Sequence, residues 1–235
     1  MSNDLSRRSF LRTSGQMGLA SAFWRYGGPL AATPQPITLA AVGDCMISRP
    51  LSVLPPDSFL PLAAILRGAD VSFGNFEMTL AGPDASPAYH ETCAYVHLRA
   101  DTPGDHPLPE ELKWAGLKLM GLSNNHSMDY GADGLLTTIE KFDLARLTHA
   151  GTGRDLAEAR SPAYWDSPKG RVALVSCAST FPYGSFAADG NGEVPGRPGL
   201  NPLRFQTTYQ VTAEEAASLK KISGGLGSPS RASNP

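Results

Sequence analysis

An α/β fold with a largely parallel sheet is what this sequence predicts, on three observations. Short apolar runs alternate with segments of helical periodicity from residue 37 to about 176. Three of those runs end in a cluster of polar, chemically useful side chains, as the carboxyl ends of strands do in α/β proteins. With 24 glycines and 20 prolines the chain is rich in turns and unlike a helical bundle.

The elements follow in order. Ile37-Thr38-Leu39-Ala40-Ala41-Val42, bounded by Pro36 and Gly43, reads as a buried first strand. Phe59 to Arg67 reads as a short helix, and Asp70-Val71-Ser72-Phe73 as a second strand. Residues 81–92, with Pro83 and Pro87, read as loop, and Cys93 to Leu98 as a possible strand. Pro109 to Ala115 is helical in pattern, with Pro109, Glu110 and Glu111 at the end where the helix dipole favours them. Leu117 to Leu122 is the next strand. Leu135, Leu136, Ile139, Phe142 and Leu147 recur at helical spacing. Thr148 to Gly153 reads as a turn-rich link, Arg154 to Arg160 as a short helix, and Val172 to Ser176 as the clearest buried strand of the second half. Past Thr180 the pattern gives way to Gly- and Pro-rich sequence. One amphipathic helix is expected over 211–222, and disorder over 222–235, which is Gly-, Ser- and Pro-rich.

At 235 residues the chain can bury one good core or at most two small ones. The net charge of -2 argues against a nucleic-acid-binding surface. Cys45, Cys93 and Cys177 form no CxxC pair, which excludes a zinc ribbon and argues against a disulfide framework. Cys45 and Cys177 read as small buried residues at strand ends. At the N-terminus, Ser6-Arg7-Arg8-Ser9-Phe10-Leu11-Arg12 matches the twin-arginine export pattern and is followed by a mildly apolar stretch, Met17 to Phe23. Residues 1–35 are therefore expected to be an export signal and linker, read by the twin-arginine machinery, with the protein periplasmic or in the cell envelope. The other reading of this segment is an ordinary basic arm.

The chemistry is expected at three strand ends. Gly43-Asp44 follows the first strand, Asn75-Phe76-Glu77 the second, and Asn124-Asn125-His126 with Asp129 follows Leu117 to Leu122. Singly, each has an ordinary reading as an Asx turn, a helix cap or a loop. If the strands are parallel neighbours, the clusters meet at one sheet edge. That edge would gather carboxylates, amide oxygens and an imidazole, a donor set for Mn²⁺, Mg²⁺, Fe²⁺ or Zn²⁺.

Ala41-Val42-Gly43-Asp44, Gly74-Asn75-Phe76-Glu77-Met78-Thr79-Leu80 and Leu122-Ser123-Asn124-Asn125-His126-Ser127-Met128-Asp129-Tyr130-Gly131 resemble the first three motifs of the bacterial capsule-synthesis CapA family, also described as poly-γ-glutamate biosynthesis proteins. The resemblance continues through Gly134 to Ile139, His149 to Arg154 and Ala157 to Pro162, and covers roughly residues 37 to 210. It implies a calcineurin-like metallophosphatase fold, a β-sandwich flanked by helices with a two-metal site at one sheet edge, over residues 36–221. By that resemblance Asp44, Glu77 and Asn125 are metal ligands, His126 is a proton donor or phosphate contact, and Asp129 orients His126 or its loop. The implied role is in capsule or poly-γ-glutamate synthesis or export, with a metal-dependent hydrolase acting on an anionic polymer or small phosphoester, within a capsule synthesis or export complex. Two departures accompany it. Met46 stands where metallophosphatases carry the histidine of an Asp-x-His motif, and no histidine follows His149, where the family has later histidine motifs. The domain is therefore expected to be incomplete at its C-terminus. This keeps two alternatives open, a non-catalytic accessory protein that binds an anionic polymer and an inactive fragment.

Overall fold

Asp70 fixes the start of the sheet. Its carboxylate accepts the backbone N–H of Thr38 at 2.8 Å and the Thr38 hydroxyl at 2.7 Å, while the Asp70 N–H donates to that hydroxyl at 2.9 Å. Lys169 reaches the same oxygen at 2.9 Å. In the computed structural model, which describes residues 35–82, 84–88, 97–99, 107–206 and 208–225, this clamp sets the register of two parallel strands. They are β1 (Leu39–Asp44) and β2 (Val71–Asn75), with Leu39 opposite Val71. β3 (Leu119–Gly121) and β4 (Thr148–Ala150) complete a four-stranded parallel sheet in the order β1-β2-β3-β4.

Helices connect these strands, as parallel pairing demands. They are α1 (Pro56–Gly68), α2 (Leu108–Ala115) and α3 (Gly131–Ala145). Pro56 and Asp57 open α1, and Pro109, Glu110 and Glu111 open α2. Gly116 ends α2 with φ 105°, and a side chain there would meet the Arg67 backbone nitrogen at 2.8 Å. Between helices and sheet lies the core of Leu66, Phe76, Leu80, Leu112, Met120 and Phe142. Each such side chain contributes roughly 1.5–3 kcal/mol by leaving water. Phe76 and Phe142 meet edge-on with centroids 5.0 Å apart. The α/β class with a parallel sheet flanked by helices is thus what the chain adopts, and the helices and β1 to β3 lie within a few residues of expectation.

Several local expectations are corrected. β1 is an edge strand with Leu39 63 % exposed, so it is not the buried strand its apolar run predicted. Thr148 to Gly153 is not a link. It forms β4, paired with β3, and β5 (Thr152–Gly153), paired with β8 (Gly199–Leu200). Val172 to Ser176 is not a buried strand either. Gly170–Leu174 is β7, one arm of an antiparallel ribbon with β6 (Ala163–Ser167), and burial alternates along both arms. Glu111 is more than a dipole partner: it is buried and accepts the Ser52 N–H at 2.7 Å and the Ser52 hydroxyl at 2.8 Å. After the short helix α4 (Leu156–Arg160), the Gly- and Pro-rich stretch packs back on the sheet, with the Asn201 N–H donating to Gly151 O at 2.8 Å. The last helix, α5 (Ala213–Gly225), buries no residue, so it has no apolar seam packed on the domain, and residues 222–225 of the expected tail are helical. Cys177 is exposed rather than buried. The export motif, Cys93 and residues 226–235 lie outside the described residues. Among the described residues no helix is long and apolar enough to cross a membrane.

The clamp gives a pH-dependent prediction. Hydrogen bonds from the Thr38 backbone and hydroxyl, then Lys169, hold the Asp70 carboxyl far below the ordinary range. A depressed carboxyl contributes stability above its unfolded pKa of about 4 and loses it as pH falls toward the folded value. The thermal midpoint of Asp70→Asn is therefore expected to lie below that of the unmodified chain by a constant gap at pH 5–7, and the gap to close below about pH 4. A pH series of melting curves checks it.

Candidate functional site

The parallel register brings the predicted clusters together. Asp44 lies opposite Asn75 and Asn75 opposite Gly121, so the ends of β1, β2 and β3 are side by side. A register irregularity between Ala41 and Asp44 leaves Asp44 exposed at the edge, while Cys45 turns back, its N–H donating to Asn75 O at 2.6 Å. The Cys45 thiol sits against Gly74, where an added Cβ would meet its sulfur at 2.8 Å. Burial, then the neighbouring Asp44, pushes that thiol up to about 11, so it stays protonated at neutral pH and is no thiolate ligand.

The loop after β3 is a chain of tight turns. The Ser127 hydroxyl donates to Leu122 O at 2.6 Å and accepts the Asn124 N–H at 2.9 Å. Asn124, 6 % exposed, is the hub. Its Nδ2 donates to Asn75 Oδ1 at 3.0 Å and to Phe76 O at 2.8 Å, and its Oδ1 accepts the His126 N–H at 3.0 Å. Asn75 in turn points its Nδ2 at two carboxylates, Asp44 Oδ1 at 2.9 Å and Glu77 Oε2 at 3.3 Å. One line of amides therefore links all three strand ends.

Asp129 and Thr79 are among the groups that place His126. Its Nδ1 lies 2.8 Å from Asp129 Oδ2, and its carbonyl accepts the Thr79 hydroxyl at 2.8 Å. Asp129 is fully buried, and the same Oδ2 accepts the Leu98 N–H at 2.5 Å. Closed to water, Asp129 contacts the His126 ring and the chain at Leu98. Asn125 is half-buried in the same turn, beside His126. No role was assigned from sequence to Asn75, Asn124 or Ser127, although Asn75 and Asn124 lie in the expected strand-end clusters. The Asn-x-x-Ser spacing, which lets a hydroxyl close a turn on a backbone N–H, is the signal that could have found the last two.

The two carboxylates are driven apart in proton affinity. The hydrogen bond from Asn75, followed by that with Glu77, holds Asp44 below the usual carboxylate range, against a smaller effect of burial. Burial, followed by the hydrogen bond and negative charge of Asp44, raises Glu77. Full ionisation puts two negative charges side by side, which a cation relieves. As donors they are hard oxygens. Among the described residues, no three His, Cys, Asp or Glu side chains gather as a metal cage. The amide oxygens of Asn75 and Asn124 are already engaged within the protein. This set fits a cation that keeps most of its water and takes one or two carboxylates, the habit of Mg²⁺ and, among the hard first-row ions, Mn²⁺; it does not fit the closed nitrogen and sulfur cage of structural zinc.

Comparison with known proteins identifies the family of the chain. Residues 38–223 match the family model of the bacterial capsule synthesis protein PGA_cap. The chain is 37 % identical over 198 residues to the protein y4sH of Sinorhizobium fredii, covering 82 % of this chain and 41 % of that one. It is 29 % identical over 171 residues to the capsule biosynthesis protein CapA of Bacillus anthracis, covering 71 % and 40 %. It is 26 % identical over 170 residues to the PGA biosynthesis protein CapA of Bacillus subtilis, covering 69 % and 43 %. The chain therefore spans about two-fifths of the length of the curated relatives it matches. With its three strand-end motifs in the order and register described, this chain belongs to the CapA family of bacterial capsule synthesis proteins.

Proposed function

We infer that this chain acts in the synthesis or export of a capsular polymer of the poly-γ-glutamate kind at the cell envelope, as an exported, cation-dependent hydrolase or transferase. The observation that supports it is the single constellation at the sheet edge, where Asp44 and Glu77 face each other through Asn75 and His126 is held by buried Asp129. The printed names of the two CapA relatives support the polymer, and the twin-arginine-like Arg7-Arg8 pair supports export.

Asp44 and Glu77 would hold a divalent cation, Mg²⁺ or Mn²⁺, in an open position, with Asn125 as the amide the family motif offers. Bound there, such a cation supplies Lewis acidity and lowers the pKa of a coordinated water. The protein's own part is positional. The Asn75–Asn124 line would fix the two carboxylates relative to the loop, and Asp129 on Nδ1 would orient the His126 ring for proton exchange with a substrate. In hydrolysis of a phosphoester or γ-amide, water would add to the phosphorus or carbonyl carbon, the bond to the leaving oxygen or nitrogen would break as His126 gives that atom its proton, and the proton shed by the water would restore His126. A second reading, a non-catalytic protein that binds an anionic polymer, is favoured by the lack of a three-residue metal cage among the described residues.

Turnover of bis-p-nitrophenyl phosphate and of γ-glutamyl-p-nitroanilide, with added Mn²⁺, separates the two. His126→Gln is expected to lower turnover roughly 10²- to 10⁴-fold while the protein remains folded, with a lowered melting midpoint. Equal turnover in the variant would remove His126 from the chemistry, and no turnover of either bond by the unmodified chain would leave the binding reading standing.

A further inference from the structure

Two guanidinium groups, one from each side of β8 in the chain, share a single aromatic ring. Arg197 Cζ lies 4.6 Å from the centre of the Phe186 ring and Arg204 Cζ 5.5 Å from it, which keeps the two charges within about 10 Å of each other. Like charges that close are only partly screened and repel. The backbone holds them there. Ala188 and Arg197 exchange both backbone hydrogen bonds, at 3.0 and 2.9 Å, and the Arg197 guanidinium donates to Phe186 O at 2.9 Å. Just before Arg204, the Leu203 N–H donates to Ala178 O at 2.7 Å.

No acid neutralises the pair. From Val172 to Ala213 the only charged residues are Asp189, Glu193, Arg197 and Arg204. Both arginines are exposed. Among the described residues neither guanidinium has a carboxylate within ion-pairing distance, and that of Arg204 makes no hydrogen bond. Two planar forks thus keep N–H groups open to carboxylates.

The same segment is tied to the strand-end loop. Asn201 accepts the Ser123 hydroxyl on its carbonyl at 2.9 Å, donates its N–H to Gly151 O at 2.8 Å and donates its Nδ2 to Ser176 O at 2.9 Å. Ser123 directly precedes Asn124, the hub of the site. From Asn201 to Arg204 the chain spans at most roughly 11 Å, even fully extended. An exposed pair between one guanidinium and one carboxylate is weak in water, so a single small acid gains little here. A chain with a free carboxylate on every unit meets both arginines at once and continues toward the strand ends, each contact raising the effective concentration of the next. Nucleic-acid binders neutralise many phosphates, and two cations on a chain of net charge -2 do not supply that.

We propose that Arg197 and Arg204, braced on Phe186, form a docking subsite for a carboxylate-bearing polymer that runs on toward the strand-end site. The subsite rests on the reading that the chain handles a polymer of the poly-γ-glutamate kind, and not on the cation or on His126.

Fluorescence anisotropy of a labelled poly-γ-glutamate fragment, titrated with the chain in EDTA, tests it, with free L-glutamate, neutral dextran and oligothymidylate as competitors. The fragment is expected to bind saturably, and neither free glutamate nor dextran to compete at about 10 mM. Arg204→Gln is expected to weaken binding at least about threefold, and the double variant Arg197→Gln/Arg204→Gln at least about tenfold. Arg204→Lys, which keeps the charge, is expected to lose less than Arg204→Gln. Because Arg204 makes no hydrogen bond, the melting midpoint of Arg204→Gln is expected to match the parent's. Parent-like affinity in the double variant overturns the subsite alone. Failure of the parent to bind the fragment overturns the subsite and the polymer reading together. Free glutamate competing as well as the polymer, or oligothymidylate binding more tightly than the fragment, overturns the assignment to a carboxylate polymer. Arginine-dependent binding in a chain that neither binds Mn²⁺ nor turns over substrate supports the subsite and removes the hydrolase reading of the strand ends.

Discussion

Asp129→Ala is expected to destabilise the fold by about 3 kcal/mol, the largest effect of any single substitution at the strand-end site. The carboxylate is fully buried and one oxygen serves both the His126 ring and the Leu98 N–H. Truncation leaves that N–H without its acceptor in a place closed to water. Asp129→Asn keeps an oxygen of the same size within reach of both donors, so its cost is expected to be only about 1 kcal/mol. Yet Asn carries no charge and offers the imidazole a weaker partner, so the proton transfer proposed for His126 is expected to suffer in both variants. Urea denaturation of the two variants reads the stability difference. Equal, negligible losses would mean that Asp129 does not hold the loop.

Asn124→Ala comes next, at about 2–3 kcal/mol, because it strips partners from Asn75 Oδ1, Phe76 O and the His126 N–H together. Asn124→Asp separates the two halves of that role. It keeps an oxygen for the His126 N–H but sets a carboxylate against two acceptors, Asn75 Oδ1 and Phe76 O. It is therefore expected to be no more stable than the alanine variant at pH 7 and to recover part of the loss below about pH 4, where the new carboxyl is protonated and can donate. Urea midpoints at the two pH values check it. A stable Asn124→Asp at neutral pH would mean that the amide donates nothing that matters.

Much of this was legible in the sequence, for a physical reason. A parallel strand has to stop where its sheet stops, and polar residues follow directly. Asp44, Asn75 with Glu77, and Asn124 to Asp129 each came straight after an apolar run. Parallel register then required them to meet. The depth of each residue was less legible. Leu39 and Val172 lie in runs as apolar as Leu119, but the sheet places β1 at an edge and β7 in a two-stranded ribbon. A strand's neighbours decide that, not its own residues. β4 escaped notice because three residues, Thr148-His149-Ala150, carry no periodicity, and Glu111 because a carboxylate in a helix's first turn reads equally well as exposed. The choice between Asn124 and its neighbour Asn125 was invisible to sequence. The turn closed by Ser127 buries Asn124 and commits its amide to the hydrogen-bonded line between strands.

That line matters because it holds Asp44 and Glu77 together, and Glu77 is raised first by burial and then by the neighbouring Asp44. The claim that this pair is a cation site is tested most directly by calorimetric titration of Mn²⁺ into the chain at pH 7, beside Asp44→Asn and Glu77→Gln. One saturable site is expected in the parent, weakened at least about tenfold, or ~1.4 kcal/mol, by either substitution. No saturable Mn²⁺ binding in the parent, or the same affinity in all three proteins, would contradict it.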